Sequence, residues 1–436
     1  MANDARTGVF DISNKNLKLD TEQDIAPYIS QLEKIEPLYE IHLSGNTFGV
    51  GACQALAEVL KKKKTLRIAG MSDIFTGRLI TEIPDSLRAL CDALVDHEEL
   101  EEIHLSDNAF GGRSSEPMVN LLTNNHHIRL LNLSNNGLGV TGGTIVADAL
   151  YEAAKSLKDG EKSALRVVIC GRNRLENGSA PVWARAFAAH RGITAVHMYQ
   201  NGIRMEGVRA LCQGLSHCKD LEVLDLQDNT ATLRGSRAVA NALPNWPHLR
   251  TLNLSDCLLK SKGGSLLFET LSLGLNKKLQ TLHLQYCDLN RGSLDKLGHA
   301  IEQHLSELET LEINGNFADV DDDCISKITA SLSKWGHATA LDELDEMDPE
   351  GEEDEDEDRP VRKKRKRVNA FLADAADDDD VIDYDADDPE DEDVTAADDA
   401  DADDPTYEDL SSDDDNDTLP DGIEGQLTEL NDDEEE

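Results

Sequence analysis

An eight-residue pattern, L-x-L-x-x-N-x-L, recurs along the first 340 residues and constrains the fold more than any other feature of the chain. From residue 173 onwards its sixth position recurs every 28 to 30 residues. So short a period is typical of a solenoid, in which each unit buries its apolar face only by stacking on its neighbours. The clear copies have their sixth positions at Asn46, Asn108, Asn136, Asn173, Asn201, Asn229, Cys257, Cys287 and Asn316. With weaker copies at 10–17 and after 66–70, the pattern predicts about eleven units.

Each unit is expected to supply one short strand and one helix. In L-x-L the two leucines face the core and the residue between them faces the open side of the sheet. The sixth-position asparagine turns inward to satisfy backbone groups, and Cys257 and Cys287 replace it as small buried polar groups. Segments 51–60 and 234–246 space their apolar residues as helices do. The sequence therefore predicts an α/β leucine-rich repeat solenoid, a ribonuclease-inhibitor-like crescent with an inner parallel sheet and outer helices.

The acidic residues are concentrated towards the C-terminal end. Residues 341–436 carry 45 of the 87 acidic and 7 of the 42 basic residues, which leaves 42 acidic and 35 basic residues in 1–340. A block such as 377–394 repels itself and has little to bury, so we expect 341–436 to be a disordered acidic tail and 1–340 to be the folded domain. Such a tail disfavours binding to nucleic acid or to membrane phosphates and suits basic partners.

The sequence lacks the motifs of a self-contained enzyme. It has no GxxxxGK[ST] loop, no GxGxxG that opens a helix, no HExxH and no GxSxG. The eight cysteines are scattered singly without a CxxC pair, which indicates reduced core thiols in a cytosolic or nuclear protein. We expect no metal site, no cofactor of its own and a monomer. If the chain takes part in catalysis, it completes the site of another protein.

Two units depart from the repeat. After "LRIAG" (66–70) comes "MSDIFTGRLITEIP", which puts Met71 in the place of the sixth-position asparagine and predicts a projecting loop. Gly77 and Arg78 would lie at the tip of that loop, and Pro84 would mark the start of a helix. The second unit ends in "CGRNRLENGS" (170–179), which contains Arg172, Arg174 and Glu176. The alternative interpretation of this charged group is a set of weak surface salt bridges.

The fifth position of the pattern precedes the buried asparagine and is almost always polar. Two interpretations of Asn135 at this position are open. Asparagine tolerates unusual backbone angles and could serve the turn alone, or this row of residues could serve a partner. The fifth-position residues of the clear copies are Gly45, Asp107, Asn135, Arg172, Gln200, Asp228, Asp256, Tyr286 and Gly315.

Several longer motifs occur in an order that resembles one known family. They are "SDIFTGR" (72–78), "EIP" (82–84), "SDNAFG" (106–111), "NNGLG" (135–139), "ICGRNRLENGS" (169–179), "QNGI" (200–203) and "LDLQDN" (224–229). In these the chain resembles the fungal type of the Ran GTPase-activating proteins, over roughly its first 340 residues. The resemblance implies an activator of the small nuclear-transport GTPase Ran in its GTP form. GTP and magnesium would then be held by Ran.

The resemblance also implies site residues. The family's catalytic asparagine, which orients Ran's own glutamine without an arginine finger, corresponds to Asn135. Arg78 is the arginine of the family's "TGR" motif, whose essential role is structural or in docking. Arg174 and Asp228 match positions that face Ran, and the position of Arg172 in the fifth-position row adds it to this set.

One residue departs from the family pattern. Two positions after Arg78, family members carry a basic residue, and this chain has Ile80. The departure puts in doubt one charge-steered contact with Ran.

A basic island interrupts the acidic tail. Its six consecutive basic residues are Arg362, Lys363, Lys364, Arg365, Lys366 and Arg367. The island is a candidate nuclear-localisation signal that would engage importin, or alternatively a segment that folds back on its acidic flanks. The family acts on the cytoplasmic side of nuclear transport and supports its directionality. We therefore expect a cytoplasmic or perinuclear protein, with nuclear shuttling if the signal works, and an accessory Ran-binding protein as a further candidate partner.

A second function class remains open at this point. A non-catalytic leucine-rich scaffold or inhibitor, with an acidic tail that binds basic proteins, would share most of the sequence features. Such a scaffold would have no reason to keep "SDIFTGR" as an irregular loop.

Overall fold

The strands of the computed structural model are two or three residues long and run in one direction. The structure describes residues 7–158 and 160–351. Eleven strands of this part form a single parallel sheet in which each pairs with those of the adjacent units, and β2 pairs with β4 separately. The strands are β1 Val9–Asp11, β2 Lys18–Leu19, β3 Glu40–His42, β4 Thr47–Phe48, β5 Ile68–Gly70, β6 Glu102–His104, β7 Leu130–Asn132, β8 Val167–Ile169, β9 Ala195–His197, β10 Val223–Asp225, β11 Thr251–Asn253, β12 Thr281–His283 and β13 Thr310–Glu312.

Helices alternate with the strands of the main sheet and pack against the helices of neighbouring units. They are α1 Glu22–Leu32, α2 Val50–Leu60, α3 Ile83–Leu94, α4 Val119–Asn124, α5 Gly139–Ser156, α6 Glu176–His190, α7 Met205–Leu215, α8 Thr232–Ala242, α9 Lys260–Leu271, α10 Arg291–His304 and α11 Asp323–Lys334. Three single 3₁₀ turns are Gly112–Ser114, Glu116–Met118 and Leu243–Asn245. The predicted repeat fold is confirmed, as is the helix that starts at Pro84, which lies in the first turn of α3. No helix in the described ranges is long and apolar enough to span a bilayer.

The sixth-position asparagines form an asparagine ladder beside the sheet. Asn136 is fully buried. Its Nδ2 donates to the carbonyl oxygens of Leu105 and Leu133, both at 2.9 Å, and its Oδ1 accepts the N–H of Asn108 at 2.8 Å. Each ladder amide therefore donates and accepts across a unit boundary. The same double use occurs at Asn46, Asn108, Asn173, Asn201, Asn229 and Asn316.

Cysteine replaces the ladder asparagine in two units, as predicted. The thiols of Cys257 and Cys287 donate to the carbonyl oxygens of Leu226 and Leu254 at 3.2 and 3.1 Å. All eight cysteines are buried and unpaired. Burial raises the pKa of Cys257 to about 12, so this thiol stays protonated and keeps its donor.

The sheet register corrects the alignment of one unit. Gly70 on β5 pairs with His104 on β6, so Ile74 and not Met71 stands level with the ladder asparagine Asn108. The N–H of Ile74 donates to Asn108 Oδ1 at 2.8 Å. The sequence pattern is misleading here because Leu66 and Ile68 match the two leucines of L-x-L. Leu66 is instead the buried residue that precedes each strand, and Ala69 and Met71 replace the L-x-L leucines.

A second row of hydrogen bonds, here called the donor row, lies at the turn between each helix and the next strand. Its side chains donate to carbonyl oxygens of the preceding unit: Lys63 Nζ to Ile35 at 2.6 Å, and Trp246 Nε1 to Leu215 at 2.9 Å. The row therefore joins consecutive units, as the ladder does. Its other members are His97, Asn125, His190, Cys218 and Asn276.

The folded domain continues past residue 340, where the sequence analysis placed its end. In the terminal segment, residues 341–351, Leu341 pairs with Leu311 on β13. The carboxylate of Asp342 accepts the N–H groups of Ile313 and Asn314 at 3.1 and 3.2 Å. The segment covers the last strand because an open sheet edge would leave such groups unpaired. The rest of the predicted acidic tail, including the basic island at 362–367, lies outside the described residues.

Candidate partner-binding site

The fifth-position residues form one row just beyond the ends of the strands, and all have left-handed backbones. Their φ angles run from +48° at Asp73 to +74° at Gly315, with Asn135 at +57°. Glycine, asparagine and aspartate accept this region most readily, so the turn alone could explain Asn135. It does not explain Arg172 or Tyr286, which adopt φ of +56° and +51°. Side chains at some of these positions are therefore kept for a reason other than backbone conformation.

Asn135 is exposed, and both its backbone and its side chain are held. Its N–H donates to the carbonyl oxygen of Gly171 at 2.9 Å, and its Nδ2 donates to Asp107 Oδ1 at 2.9 Å. The adjacent Asn136 is fully buried in the ladder. The sequence predicted this division of the two asparagines, and the structure confirms their burial and exposure.

Arg172 and Arg174 follow in the next unit and project into solvent. Neither guanidinium group has a hydrogen bond or ion pair within the described part of the chain, so the interpretation as rim salt bridges is wrong. Arg174 also has a left-handed backbone, with φ of +55°, where the preceding unit has Gly137. A non-glycine residue there costs about 1–2 kcal/mol. The described part of the fold thus presents two exposed cations without a partner, two residues apart in one unit.

The row becomes acidic two units further along. Asp228 is exposed and accepts a hydrogen bond from Gln200 Nε2 at 3.0 Å. Burial, and then the charge of Asp228, raise the pKa of Asp256 in the following unit. Between Asn135 and Asp228 the row therefore passes from a neutral amide through Arg172, with Arg174 beside it, and the neutral Gln200 to an anion. In the described ranges no group of three or more His, Cys, Asp or Glu residues could hold a metal ion.

The structure places Arg78 away from Asn135. The loop tip exposes Gly77, Leu79 and Ile80, but the Arg78 side chain folds back and is only 8% exposed. Its Nε donates to Thr47 Oγ1 at 2.8 Å, its Nη2 donates to the Thr47 carbonyl at 2.9 Å, and Nη1 forms an ion pair with Asp20. These partners belong to the first two units, on the side opposite to β7. A hydrogen bond from Arg78 lowers the pKa of Asp20.

Tyr199 contacts Ser134, the residue before Asn135, from two units away, and the sequence analysis did not predict this contact. A Cβ at Gly171 would lie 2.4 Å from the Tyr199 ring, so the ring occupies the space that a side chain would fill. The Tyr199 hydroxyl donates to Ser134 Oγ, next to Asn135, at 3.4 Å. The available signal was Gly171 itself, since the equivalent residues are serines at Ser44, Ser72, Ser106, Ser134 and Ser255.

Comparison with known proteins first supports the class of protein that the fold indicates, the leucine-rich repeat proteins. A model described as Leucine Rich repeat matches residues 124–144 and 247–268. The chain is 26% identical over 301 residues to ribonuclease inhibitor of Sus scrofa, which covers 69% of this chain and 62% of that protein. The repeat class is therefore supported by both structure and sequence.

The more specific similarity is to GTPase activators. The chain is 40% identical over 333 residues to Ran GTPase-activating protein 1 of Saccharomyces cerevisiae, which covers 74% of this chain and 82% of the yeast protein. It is 45% identical over 200 residues to Ran GTPase-activating protein 1 of Xenopus laevis, which covers 45% of this chain and 34% of the frog protein. The chain belongs to the Ran GTPase-activating protein family. This membership confirms the expected class, an enzyme activator.

Proposed function

We propose that the chain binds Ran in its GTP form through the fifth-position residues beyond β7 to β10 and stimulates GTP hydrolysis. The observation that carries this proposal is an exposed amide at Asn135, held by two hydrogen bonds, with two exposed arginines in the next unit. Within the described residues these arginines have no partner. Family membership supplies the partner and the reaction. GTP and magnesium belong to Ran, so the chain brings no cofactor of its own.

Charge along the row sets the orientation of the partner. Arg172 and Arg174 have no partner within residues 7–158 and 160–351 and would meet acidic groups of Ran, while Asp228 would meet a basic group. Complementary charges of this kind mainly raise the association rate and fix the register of two surfaces. Removing one of them should therefore weaken binding more than it slows hydrolysis within the complex.

Asn135 acts on the reaction through Ran's glutamine and is therefore a positioning residue. An amide has both a donor and an acceptor, so it can hold a second amide in one orientation. The glutamine would in turn hold the water that attacks the terminal phosphate. Asn135 contributes preorganisation, because its own backbone and side chain are fixed before Ran arrives.

Arg78 supports the proposed absence of an arginine finger. Its guanidinium group is occupied by Thr47 and Asp20, and extending it into another protein would break several hydrogen bonds. We assign it the role of fixing the loop 72–82 against the first two units. Its replacement would harm activity through that loop.

Single-turnover GTP hydrolysis by Ran, measured over a range of concentrations of this protein, tests the assignment. Asn135→Ala should lower the rate at saturation by about 10²-fold or more, as loss of a preorganised hydrogen-bonding group does. Its half-saturating concentration should change little, whereas Arg174→Ala should raise that concentration and preserve the saturated rate. A wild-type saturated rate for Asn135→Ala would overturn the proposal.

Arg78→Lys separates a structural arginine from a finger. Lysine cannot reproduce the planar fork that joins Thr47 and Asp20, so the variant should bind Ran less tightly and melt at a lower temperature. Arg172→Lys is the matched control and should melt like wild type. Unchanged binding and melting, with a saturated rate lower by about 10³-fold or more, would identify Arg78 as a finger.

We further propose that the chain acts in the cytoplasm and supports the directionality of nuclear transport. The basic island would allow nuclear shuttling through importin, and an accessory Ran-binding protein would deliver Ran. Imaging a fluorescent fusion with the six basic residues of 362–367 changed to alanine tests the signal. A distribution unaffected by this change, even when nuclear export is blocked, would remove shuttling from the proposal.

A further inference from the structure

Asp107 holds the side chain of Asn135, and the direction of this contact has a chemical consequence. We propose that Asp107 is a positioning residue that fixes the amide of Asn135 with its carbonyl oxygen, and not its nitrogen, towards the partner. The inference rests on the proposed function of Asn135. It adds Asp107 to that function and specifies which atom of the Asn135 amide faces the partner.

The chemistry of the two groups determines which atom faces Asp107. The side-chain atoms that meet are 2.9 Å apart. An ionised carboxylate only accepts hydrogen bonds, so the Asn135 atom beside it must be the nitrogen. The Oδ1 atom of Asn135 is then the acceptor left for a partner.

The backbone leaves the amide little other freedom. The N–H of Asp107 donates to the Ser134 carbonyl at 2.9 Å, and the N–H of Asn135 donates to the Gly171 carbonyl at 2.9 Å. Both residues have left-handed backbones, with φ of +62° and +57°. The two side chains thus start from fixed points in adjacent units. From these points the hydrogen bond to Asp107 holds the Asn135 side chain, and it disfavours the half-turn of the amide that would exchange oxygen and nitrogen.

A fixed oxygen selects a donor in the partner. If Asn135 Oδ1 accepts an N–H of Ran's glutamine, the oxygen of that glutamine is left to accept a hydrogen bond from the attacking water. A flipped Asn135 would donate instead, would occupy the glutamine oxygen and would turn the glutamine nitrogen towards the water. Asp107 therefore sets the direction of a chain of hydrogen bonds that runs from carboxylate to amide to amide to water, in which each bond polarises the next.

Asp107→Asn tests the inference with little change of shape. The new amide can either accept or donate, so both orientations of Asn135 become populated. The saturated rate of Ran hydrolysis should fall about two- to tenfold, because it scales with the fraction of Asn135 that keeps its oxygen towards the partner, which is one half if the two orientations are equal. The half-saturating concentration and melting temperature should stay near wild type. Asp256→Asn is the matched control, because it removes the same charge from the same row, at φ of +56°, and should leave the saturated rate unchanged.

A double variant and a measurement without Ran complete the test. Asp107→Asn should slow Asn135→Ala no further, because Asp107 acts only through Asn135. In the free protein, the side-chain amide protons of Asn135, assigned by their loss in Asn135→Ala, should exchange faster with water in Asp107→Asn. The inference would be overturned if the rate reductions of Asp107→Asn and Asn135→Ala multiplied in the double variant. It would also be overturned if Asp107→Asn left the exchange of the Asn135 amide protons unchanged. A wild-type saturated rate for Asn135→Ala would instead overturn the proposed function.

Discussion

The asparagine ladder lies after the strands and the donor row lies before them. Both join consecutive units, but they differ in the types of side chain that occupy them. The ladder uses asparagine in most units and cysteine in two. The donor row uses lysine, histidine, asparagine, cysteine and tryptophan. The difference shows that the two ends require different chemistry.

The hydrogen bonds reveal that requirement. In the ladder, Asn136 donates twice and also accepts a buried backbone N–H, a combination that its amide supplies. In the donor row, Asn276 Oδ1 and His97 Nδ1 are buried without a hydrogen-bond partner among the described residues. Asn125 does accept a backbone N–H, from His127 at 2.9 Å, but donation is the one function that all members share, so side chains of several types with a suitable N–H or S–H occupy the row. The demand for two functions restricts the ladder to asparagine and, in two units, cysteine, whereas the donor row admits five residue types.

The largest expected effect follows from removing a ladder amide. Asn136→Ala leaves the N–H of Asn108 and the carbonyl groups of Leu105 and Leu133 without this partner. The two carbonyl groups keep hydrogen bonds from Asn108 Nδ2 and Asn173 Nδ2, so the N–H of Asn108 is the group left unpaired. A buried unpaired group costs about 1–3 kcal/mol, and the free energy of unfolding should fall by about that amount. Urea denaturation measures this change. A loss below about 1 kcal/mol would show that the ladder does not need both functions of the amide.

The next effect concerns a titratable member of the donor row. Burial lowers the pKa of His190 to about 4, and the positive charges of Arg166 and His126 act in the same direction. The unfolded chain, with an ordinary histidine pKa near 6.5, takes up the proton first, so stability is complete above that value and is lost as the pH falls towards about 4. The loss from this one group is at most about 3 kcal/mol.

The contribution of His190 can be isolated by measuring the free energy of unfolding at a series of pH values for wild type and for a variant that keeps the hydrogen-bond donor. His190→Asn keeps an N–H for the Leu150 carbonyl but cannot be protonated, so its stability should depend less on pH between 6.5 and 4. The same pH dependence in both proteins would show that His190 is not the group responsible.

The same substitution at both ends gives a smaller and sharper difference. Cysteine keeps a donor but is a weak acceptor. Asn136→Cys should therefore destabilise the fold by about 1–2 kcal/mol more than Asn276→Cys, because only Asn136 accepts a buried N–H. Melting under reducing conditions measures both. Equal losses of stability in the two variants would show that accepting a hydrogen bond does not distinguish the ladder from the donor row.

The smallest effect is expected beside the ladder. Asn135→Ala removes an exposed side chain whose described hydrogen bond is the contact with Asp107, so unfolding free energy should change by no more than about 0.5 kcal/mol. Calorimetric melting of Asn135→Ala and Asn136→Ala side by side checks the assignment. An early-melting Asn135→Ala with a stable Asn136→Ala would place the repeat one residue out of register.

These requirements explain what the sequence could and could not predict. The ladder is visible because its chemistry admits little variation, and it gave the unit length, the strands and the buried state of Asn136. The donor row is invisible in one sequence because its members share a geometry and not a residue type. The displaced alignment at Met71 has a related cause, since a leucine marks two different buried positions in each unit.

The candidate site was predictable to a similar, partial extent. Motifs predict Asn135, Arg174 and Asp228 as site residues, and rim position adds Arg172. The repeat spacing places Asn135, Arg172 and Asp228 in the fifth-position row, with Arg174 two residues beyond it. The partners of Arg78 could not be predicted, because Asp20 and Thr47 are 58 and 31 residues away and follow no repeat position. The contact from Asp107 to Asn135 spans 28 residues, one unit, but its direction depends on side-chain geometry that spacing does not contain.

The terminal segment bears on how a protein of this kind changes length over evolution. Stacked units have no intrinsic number, and an uncovered last strand would invite another unit or another molecule. Residues 341–351 close that end with a pairing at Leu341 and the Asp342 carboxylate. A unit gained by duplication after β13 would separate this closure from the strand that it fits, whereas one gained between interior units would leave it intact. Growth of the repeat array is thus favoured in the middle and disfavoured at the closed end.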